Sequence, residues 1–252
     1  GFTHTPPTGY VALCTSNLSE PTIKDGTEHM KPVLYTGNNV DDRTITVGWK
    51  PDFTWIKNST EGATGQYLYD SVRGATKYIH SHNDANETTD ADTLQSFEPT
   101  GFEIGQNSDH NGDTKTFISW NWLAANGTAA NENGSIDSTV SVNANAGFSI
   151  VSWVGTGANA TVGHGLGVKP EIIIIKNRDD SEYWRVYNKT ITAEYSLSFG
   201  SIGATDKDDN SGSFNDTEPT SSVFTVGTYN SANGSSGDDD KMIAYCFSSV
   251  EG

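Results

Sequence analysis

The stretch that decides the fold is GWKPDFTWIKN at residues 48–58, which returns as GVKPEIIIIKN at residues 167–177. The offset is 119 residues (167 minus 48), and six of the eleven positions are identical. Three further pairs follow in the same order: YTG at 35–37 with WVG at 153–155, EPT at 98–100 with EPT at 218–220, and ISWNW at 118–122 with IAYCF at 243–247. Ordered self-similarity of this kind indicates a duplicated structural unit.

Within each copy, apolar and polar residues alternate with a period of two. The alternating apolar sets are Ile45 with Val47, Ile118 with Trp120 and Trp122, and Leu197 with Phe199. This pattern predicts antiparallel strands with one dry and one wet face. The intervening polar residues, such as Ser119, Asn121 and Ser196, are expected on the wet face.

A second kind of strand and the turn residues complete the prediction of the fold. The run from Ile172 to Ile175 has no alternation, which is typical of a central strand covered on both faces. Asn-Gly pairs at 111–112 and 233–234 are turn signals, and no apolar stripe of helical period exceeds about two turns. We therefore predict an all-β fold of two tandem homologous antiparallel β-sandwich repeats of the jelly-roll or lectin-like type.

Proline and small polar residues place the expected boundaries. Pro6, Pro7, Pro21 and Pro32 predict an extended N-terminal arm over residues 1–32. An Ala-, Asn- and Gly-rich seam at 124–133 separates repeat 1, residues 33–125, from repeat 2, residues 126–252. Because the chain begins with glycine instead of methionine, we expect a piece of a longer protein.

The charge of the chain restricts its partners. A formal net charge of −17 repels nucleic-acid phosphates and anionic membranes, and the longest aliphatic run is too short to span a bilayer. Cys14 and Cys246 are too few and too far apart for a disulfide framework, and Cys246 is expected as a small buried residue in a strand. We expect neither nucleic-acid binding nor membrane insertion.

Aromatic residues supply the candidate contact site. Tyr67, Tyr69, Tyr183, Arg185 and Tyr187 fall at corresponding points after the two repeated strands. Alternation sends Tyr183, Arg185 and Tyr187 to one face, where an exposed row could stack on sugars or anchor a protein neighbour. Core or inter-subunit packing is the alternative interpretation.

A loop rich in aspartate is the candidate metal site. Asp238, Asp239 and Asp240 are the oxygen donors that calcium prefers, although their spacing does not match a helix-flanked calcium loop. Solvated loop charge is the alternative, and no other cofactor is expected.

The motifs of the common enzyme classes are missing from the sequence. There is no phosphate-binding G-x-x-x-x-G-K-[ST] and no G-x-S-x-G, and the pair His80 and His82 lacks a third metal ligand. A depolymerase would need two carboxylates across a cleft, and Glu103, Glu171 and Glu194 are the strand-borne candidates. We predict that the chain is not an enzyme.

Several motifs together resemble a known group of proteins. They are TPPTGYVALCTSNL at 5–18, KPDFTWIK at 50–57, DSVRGA at 70–75, GFSIV at 147–151, GHGLG at 163–167 and SSVF at 221–224. In this combination the chain resembles the duplicated β-sandwich domain of marine tailed-bacteriophage structural proteins, the tail-fibre or appendage proteins in which this unit follows a SPRY or concanavalin-like lectin region.

The resemblance implies a location and a broad role. It implies a non-catalytic structural or attachment component of a virion, a tail fibre, spike or capsid-surface appendage that touches host-surface glycans. It also implies an extracellular homo-oligomer, with a trimer favoured, in contact with other virion proteins. The alternatives are a secreted or cell-surface carbohydrate-binding module with a loop calcium site and, as the weakest, a polysaccharide depolymerase.

Overall fold

The computed structural model of the chain describes residues 4, 7–11, 17, 20–62, 65–200, 208–209 and 211–250. Cys14 and much of the predicted arm lie outside them. The strands are β1 (Met30–Thr36), β2 (Arg43–Thr46), β3 (Phe53–Asn58), β4 (Gln66–Asp70), β5 (Lys77–His80), β6 (Thr88–Thr89), β7 (Leu94–Glu98), β8 (Gly101–Ile104), β9 (Thr116–Trp122), β10 (Ala129–Asn131), β11 (Ser138–Asn143), β12 (Phe148–Val154), β13 (Ala160–Gly163), β14 (Ile172–Asn177), β15 (Trp184–Asn188), β16 (Tyr195–Phe199), β17 (Asp208–Asp209), β18 (Val223–Val226) and β19 (Lys241–Phe247). The helices described are the four-residue α1 (Ser108–Asn111), α2 (Ser211–Phe214) and α3 (Asn230–Asn233), and a 3-10 turn covers Gly26–Glu28.

The strands form two large and two small antiparallel sheets, so the predicted all-β character is confirmed. The six-stranded sheet has the order β1-β9-β3-β4-β5-β6, and the three-stranded sheet has the order β2-β8-β7. The eight-stranded sheet has the order β10-β11-β12-β19-β14-β15-β16-β17, and β13 pairs with β18. Apart from the two additional strands β10 and β11 at one side, the eight-stranded sheet repeats the connectivity of the six-stranded sheet. None of the helices in the described part of the chain has the length and apolar character needed to cross a bilayer.

Three apolar cores arrange these sheets in layers. Ile45 and Phe102 of the three-stranded sheet pack on Ile56 of the six-stranded sheet. Phe53 points to the opposite face of β3 from Ile56 and packs on Tyr245 of the eight-stranded sheet. A third core lies between the eight-stranded sheet and the pair β13 and β18. Because each large sheet is covered on both faces, the layers follow in the order three, six, eight and two strands.

A buried polar network ties the two large sheets together. The Arg73 guanidinium lies against the Asp70 carboxylate, and both side chains are fully buried. The Tyr245 hydroxyl, which comes from the eight-stranded sheet, donates to Asp70 Oδ2 at 2.8 Å. Glu87 accepts from Arg73 at 3.3 Å and from the Arg178 Nε and Nη2 atoms at 2.9 Å each. Charges from both sheets are therefore paired inside one interface.

Asparagines at corresponding places end the strands and helices. Asn58 Oδ1 accepts from the backbone N–H groups of residues 60 and 61, and Asn177 Oδ1 accepts from those of residues 179 and 180. Asn111 and Asn233, predicted as turn residues, are the fully buried last residues of α1 and α3. Where a strand ends, the asparagine side chain accepts the hydrogen bonds of backbone N–H groups that no longer have a partner in the sheet.

Several predictions from single residues are confirmed. The run Ile172 to Ile175 lies in β14, an inner strand whose residues face two cores. Cys246 is fully buried in β19, and Ile45 and Val47 are buried as their alternation predicted.

The predicted wet and dry faces of β9 and β16 are wrong. Ser119, Asn121 and Ser196 are fully buried, whereas Trp120 and Leu197 are partly exposed. The three-stranded sheet covers the polar face of β9, and the Asn121 amide is satisfied there by the Thr54 hydroxyl at 3.1 Å and the Lys31 carbonyl at 3.0 Å. Buried polar side chains are tolerated when they are hydrogen-bonded in this way.

The expectation that Pro32 lies outside regular structure is also wrong. Pro32 lies inside β1, opposite Trp120 of β9. β1 is an edge strand, and proline is tolerated at an edge because alternate N–H groups point away from the sheet.

Candidate functional site

A groove lined by tryptophans opens on the surface of the six-stranded sheet. Met30, Trp55, Gln66, Trp120 and Trp122 enclose about 260 Å³, and we name these five residues the tryptophan groove. The rings of Trp55 and Trp120 meet nearly at right angles with centroids 6.0 Å apart. Edge-to-face contacts of this kind fix both rings in place.

Strand register explains why these residues share one face. Trp120 lies opposite Trp55 on one side and opposite Pro32 on the other, and Trp122 lies opposite Met30. Directly opposed residues point to the same face of a sheet. The groove is therefore built on three adjacent hydrogen-bonded strands, β1, β9 and β3, with Gln66 added from β4.

Exposed apolar residues extend the groove along the sheet. Leu34 is 77% exposed and lies opposite Ile118, which in turn lies opposite Lys57. Pro32 is also exposed. We name Pro32, Leu34 and Ile118 the apolar strip. Groove and strip together form an apolar surface that the eight-stranded sheet contacts only at Trp55 and Trp122. Exposed apolar surfaces of this kind mark interaction sites in soluble proteins.

The groove is suited to binding and not to acid–base chemistry. Its five lining residues include no carboxylate, histidine, hydroxyl or thiol. The Trp55 indole N–H is buried and has no hydrogen-bond partner among the described residues. The polar residues nearest in register are Gln66 and Lys57, which lie opposite each other on β4 and β3. Flat rings beside an amide and an ammonium group can hold either a sugar face or apolar protein side chains.

Three of the sequence-predicted contact residues are buried. Tyr69 and Tyr187 are fully buried, and Tyr67 is 8% exposed. The Tyr67 hydroxyl donates to Asp109 Oδ2 at 2.6 Å, and the Tyr187 hydroxyl donates to Glu218 Oε2 at 2.7 Å. Burial together with these carboxylate contacts raises the pKa of Tyr67 and of Tyr187 well above its usual value. All three tyrosines face the interior, as in the alternative interpretation of core packing.

The other two predicted contact residues do not form a row with them. Tyr183 is 40% exposed and precedes β15. Arg185 is half-buried, and its guanidinium donates to the Ser231 and Ser198 hydroxyls at 2.8 and 3.0 Å and lies over the Tyr229 ring. The structure therefore does not bring Tyr183, Arg185 and Tyr187 together on an exposed face.

The predicted calcium residues point in different directions. Asp238 and Asp239 are exposed, whereas Asp240 is buried and accepts from the Ser235 backbone N–H at 2.9 Å and from the Asn177 amide at 3.3 Å. Among the residues that the structure describes, no three His, Cys, Asp or Glu side chains are grouped to hold a metal ion.

A second cluster of titratable groups lies beside α1. The fully buried His110 ring is 2.7 Å from the Tyr69 hydroxyl and packs edge-on against Tyr67, which also packs against His80. Burial lowers the pKa of His110 to about 3 and also lowers that of His80. His110 is therefore neutral at physiological pH, and the cluster acts as packing.

The tryptophan groove was not found from the sequence, although one signal was present. Three of the six tryptophans lie at facing positions of the six-stranded sheet, where the eight-stranded sheet has Ile174, Tyr245 and Phe247. This larger aromatic surface distinguishes the six-stranded sheet from the eight-stranded one.

Comparisons with known proteins identify a family. No curated protein and no solved structure matches the chain. The family described as a domain of unknown function, DUF7483, matches residues 25–252, which is most of the chain. The chain therefore belongs to the DUF7483 family.

Proposed function

We propose that the chain consists of two homologous β-sandwich units of the jelly-roll or lectin-like type, β1–β9 and β10–β19. Their matching strand order supports this proposal. So do the equivalent asparagines that end β3 and β14 and those that end α1 and α3.

We further propose that the chain is a non-catalytic attachment component of a bacteriophage virion, exposed on a tail fibre, spike or capsid surface as a homo-oligomer. The observation that carries an attachment role is the tryptophan groove, an aromatic surface on the part of the six-stranded sheet that the eight-stranded sheet leaves open. The placement on a virion is supported by the phage-like motifs of the sequence.

The groove residues have the character of interface anchors. Tryptophan is enriched among residues that dominate binding energy, and burying one large apolar side chain contributes about 1.5–3 kcal/mol. Many copies on one particle would add avidity to a weak single contact.

A carbohydrate-binding module is the second candidate. It is favoured by the position of Gln66 beside the tryptophan rings, because sugar recognition combines a flat apolar face with hydrogen-bonding groups at its edge. Under this reading the groove binds a glycan, and a glycan array would identify it.

Two measurements test the proposed function. Immunogold labelling of purified virions with antibody against residues 25–252 should decorate the particle surface, and unlabelled particles would reject the placement on a virion. Binding of the fluorescently labelled chain to host cells should fall at least tenfold in Trp120→Ala and Leu34→Asp but not in Val40→Asp, whose side chain is 54% exposed outside the groove. Equal binding by all the variants would reject the groove as the contact surface.

A further inference from the structure

Each residue of the tryptophan groove has a counterpart in the eight-stranded sheet at the same register position, if the two units are homologous as proposed above. Met30, Trp55, Gln66, Trp120 and Trp122 correspond to Phe148, Ile174, Trp184, Tyr245 and Phe247. All five counterparts lie in or against the core between the two large sheets, whereas only Trp55 and Trp122 of the groove reach the edge of that core. Met30, Gln66 and Trp120 lie outside it, at positions that in the second unit are covered by a β-sheet.

The covering surface is a face of the first unit. Its main side chains are Phe53, Leu68 and Ile79 on β3, β4 and β5. Leu68 lies directly opposite Ile79, and Phe53 is two residues along β3 from Trp55, the residue opposite Leu68. The Phe53 ring lies 4.5 Å from that of Tyr245 and 6.0 Å from that of Phe148, centroid to centroid. We name Phe53, Leu68 and Ile79 the covering face.

The second unit carries its own version of the covering face. Ile172, Val186 and Leu197 occupy the same register positions on β14, β15 and β16 as the covering face does on β3, β4 and β5. Ile172 and Leu197 are partly exposed, and Val186, on the strand between theirs, is buried at 7% exposure. The internal contact between the two sheets joins two surfaces, and each surface has a counterpart elsewhere in the chain. The tryptophan groove is the counterpart of one, and the face of Ile172, Val186 and Leu197 is the counterpart of the other.

We propose that the tryptophan groove docks a second copy of this chain, through that copy's face of Ile172, Val186 and Leu197. By analogy with the internal contact, Ile172 of one copy lies against Trp120 and Met30 of the next. The contact joins two different surfaces, so it closes into a ring if the rotation between neighbouring copies permits and otherwise extends as a filament.

The charges of the chain predict how this association responds to salt. Each copy carries a net charge of −17, and the eight residues of groove and face include no charged side chain. Long-range repulsion therefore opposes an apolar contact. Because salt screens exposed charges, raising it should strengthen the association.

Light scattering coupled to size exclusion tests the proposal. The mass of the intact chain should rise with concentration, and more so at 500 mM than at 50 mM salt, because the Debye length is roughly threefold shorter at the higher salt concentration. Leu34→Asp at the rim of the groove and Leu197→Asp on the opposite face should each remain monomeric, while Val40→Asp should behave as wild type. Thermal melts check that the variants are folded, and Leu197→Ser serves if Leu197→Asp is not.

Mixing the two variants gives the sharpest result. Leu34→Asp retains an intact face and Leu197→Asp retains an intact groove, so an equimolar mixture should form dimers and nothing larger. A wild-type monomer at every concentration and salt would overturn the proposal, as would oligomers that survive in Leu197→Asp or a mixture that stays monomeric. A monomeric chain that still binds host cells through Trp120 would leave the attachment role standing, whereas oligomers without virion labelling would remove only the virion role.

Discussion

Replacing Arg73 with methionine should destabilise the whole chain by about 3 kcal/mol. Arg73 and Asp70 are both fully buried, so the substitution leaves a buried carboxylate without its cation. Breaking a buried pair by removing one partner costs about 3–5 kcal/mol. Asp70 keeps three hydrogen bonds, from the backbone N–H groups of residues 72 and 73 and from the Tyr245 hydroxyl, which places the loss at the lower end.

Urea denaturation followed by tryptophan fluorescence measures this loss. Since Tyr245 belongs to the eight-stranded sheet and Asp70 to the six-stranded sheet, we expect one shared unfolding transition that moves to lower urea with an unchanged slope. Lys24→Met is the control, because its ion pair with Glu20 is exposed and contributes little. A loss below about 1 kcal/mol in Arg73→Met, or two separate transitions in the wild type, would refute the view that this network joins the sheets.

Three further predictions concern other parts of the fold. Burial lowers the pKa of His110 to about 3, so the unfolded chain binds more protons than the folded chain between that value and about pH 6.5. The free energy of unfolding should therefore decrease as the pH is lowered, by ~2 kcal/mol at pH 5. His110→Asn should lack this dependence in urea titrations at pH 5 and 7. Gly37→Ala should destabilise by about 1–3 kcal/mol because its Cβ would overlap the Gly112 carbonyl oxygen, whereas Gly127→Ala, which has open space, should melt as wild type. In a Cys14→Ser background, burial and the raised pKa of Cys246 should keep that thiol unreactive toward iodoacetamide until urea unfolds the chain, and rapid native labelling would contradict its burial.

The sequence predicts which residues share a face better than it predicts which face is covered. The period of two correctly groups Ile118, Trp120 and Trp122 on one side of β9, and Ser119 with Asn121 on the other. Coverage depends on how the sheets stack, and the polar side of β9 lies under the three-stranded sheet. How the sheets stack is a feature of the tertiary structure, and no local sequence pattern indicates it.

The same dependence on tertiary structure explains why the predicted contact tyrosines turned out to be buried. Tyr67, Tyr69 and Tyr187 are recognisable as strand residues, but their hydroxyl partners Asp109, His110 and Glu218 are 42, 41 and 31 residues away. Because these partners are distant in the sequence, the local pattern does not distinguish a buried tyrosine from an exposed one. The tryptophan groove escaped sequence analysis for the converse reason: the alternation in β9 predicts Trp120 on a buried face, but the eight-stranded sheet leaves it partly exposed.

Oxidative footprinting of the tryptophans and of Leu34, read by mass spectrometry, tests the role of the groove most directly. The intact chain is oxidised free at low concentration, and again when it is bound to host cells or assembled in purified virions. We predict that Trp120 and Leu34 are oxidised in the free chain and protected in the attached or assembled one, while the fully buried Trp184 stays protected in both. Equal oxidation of Trp120 and Leu34 in the two states would contradict the account.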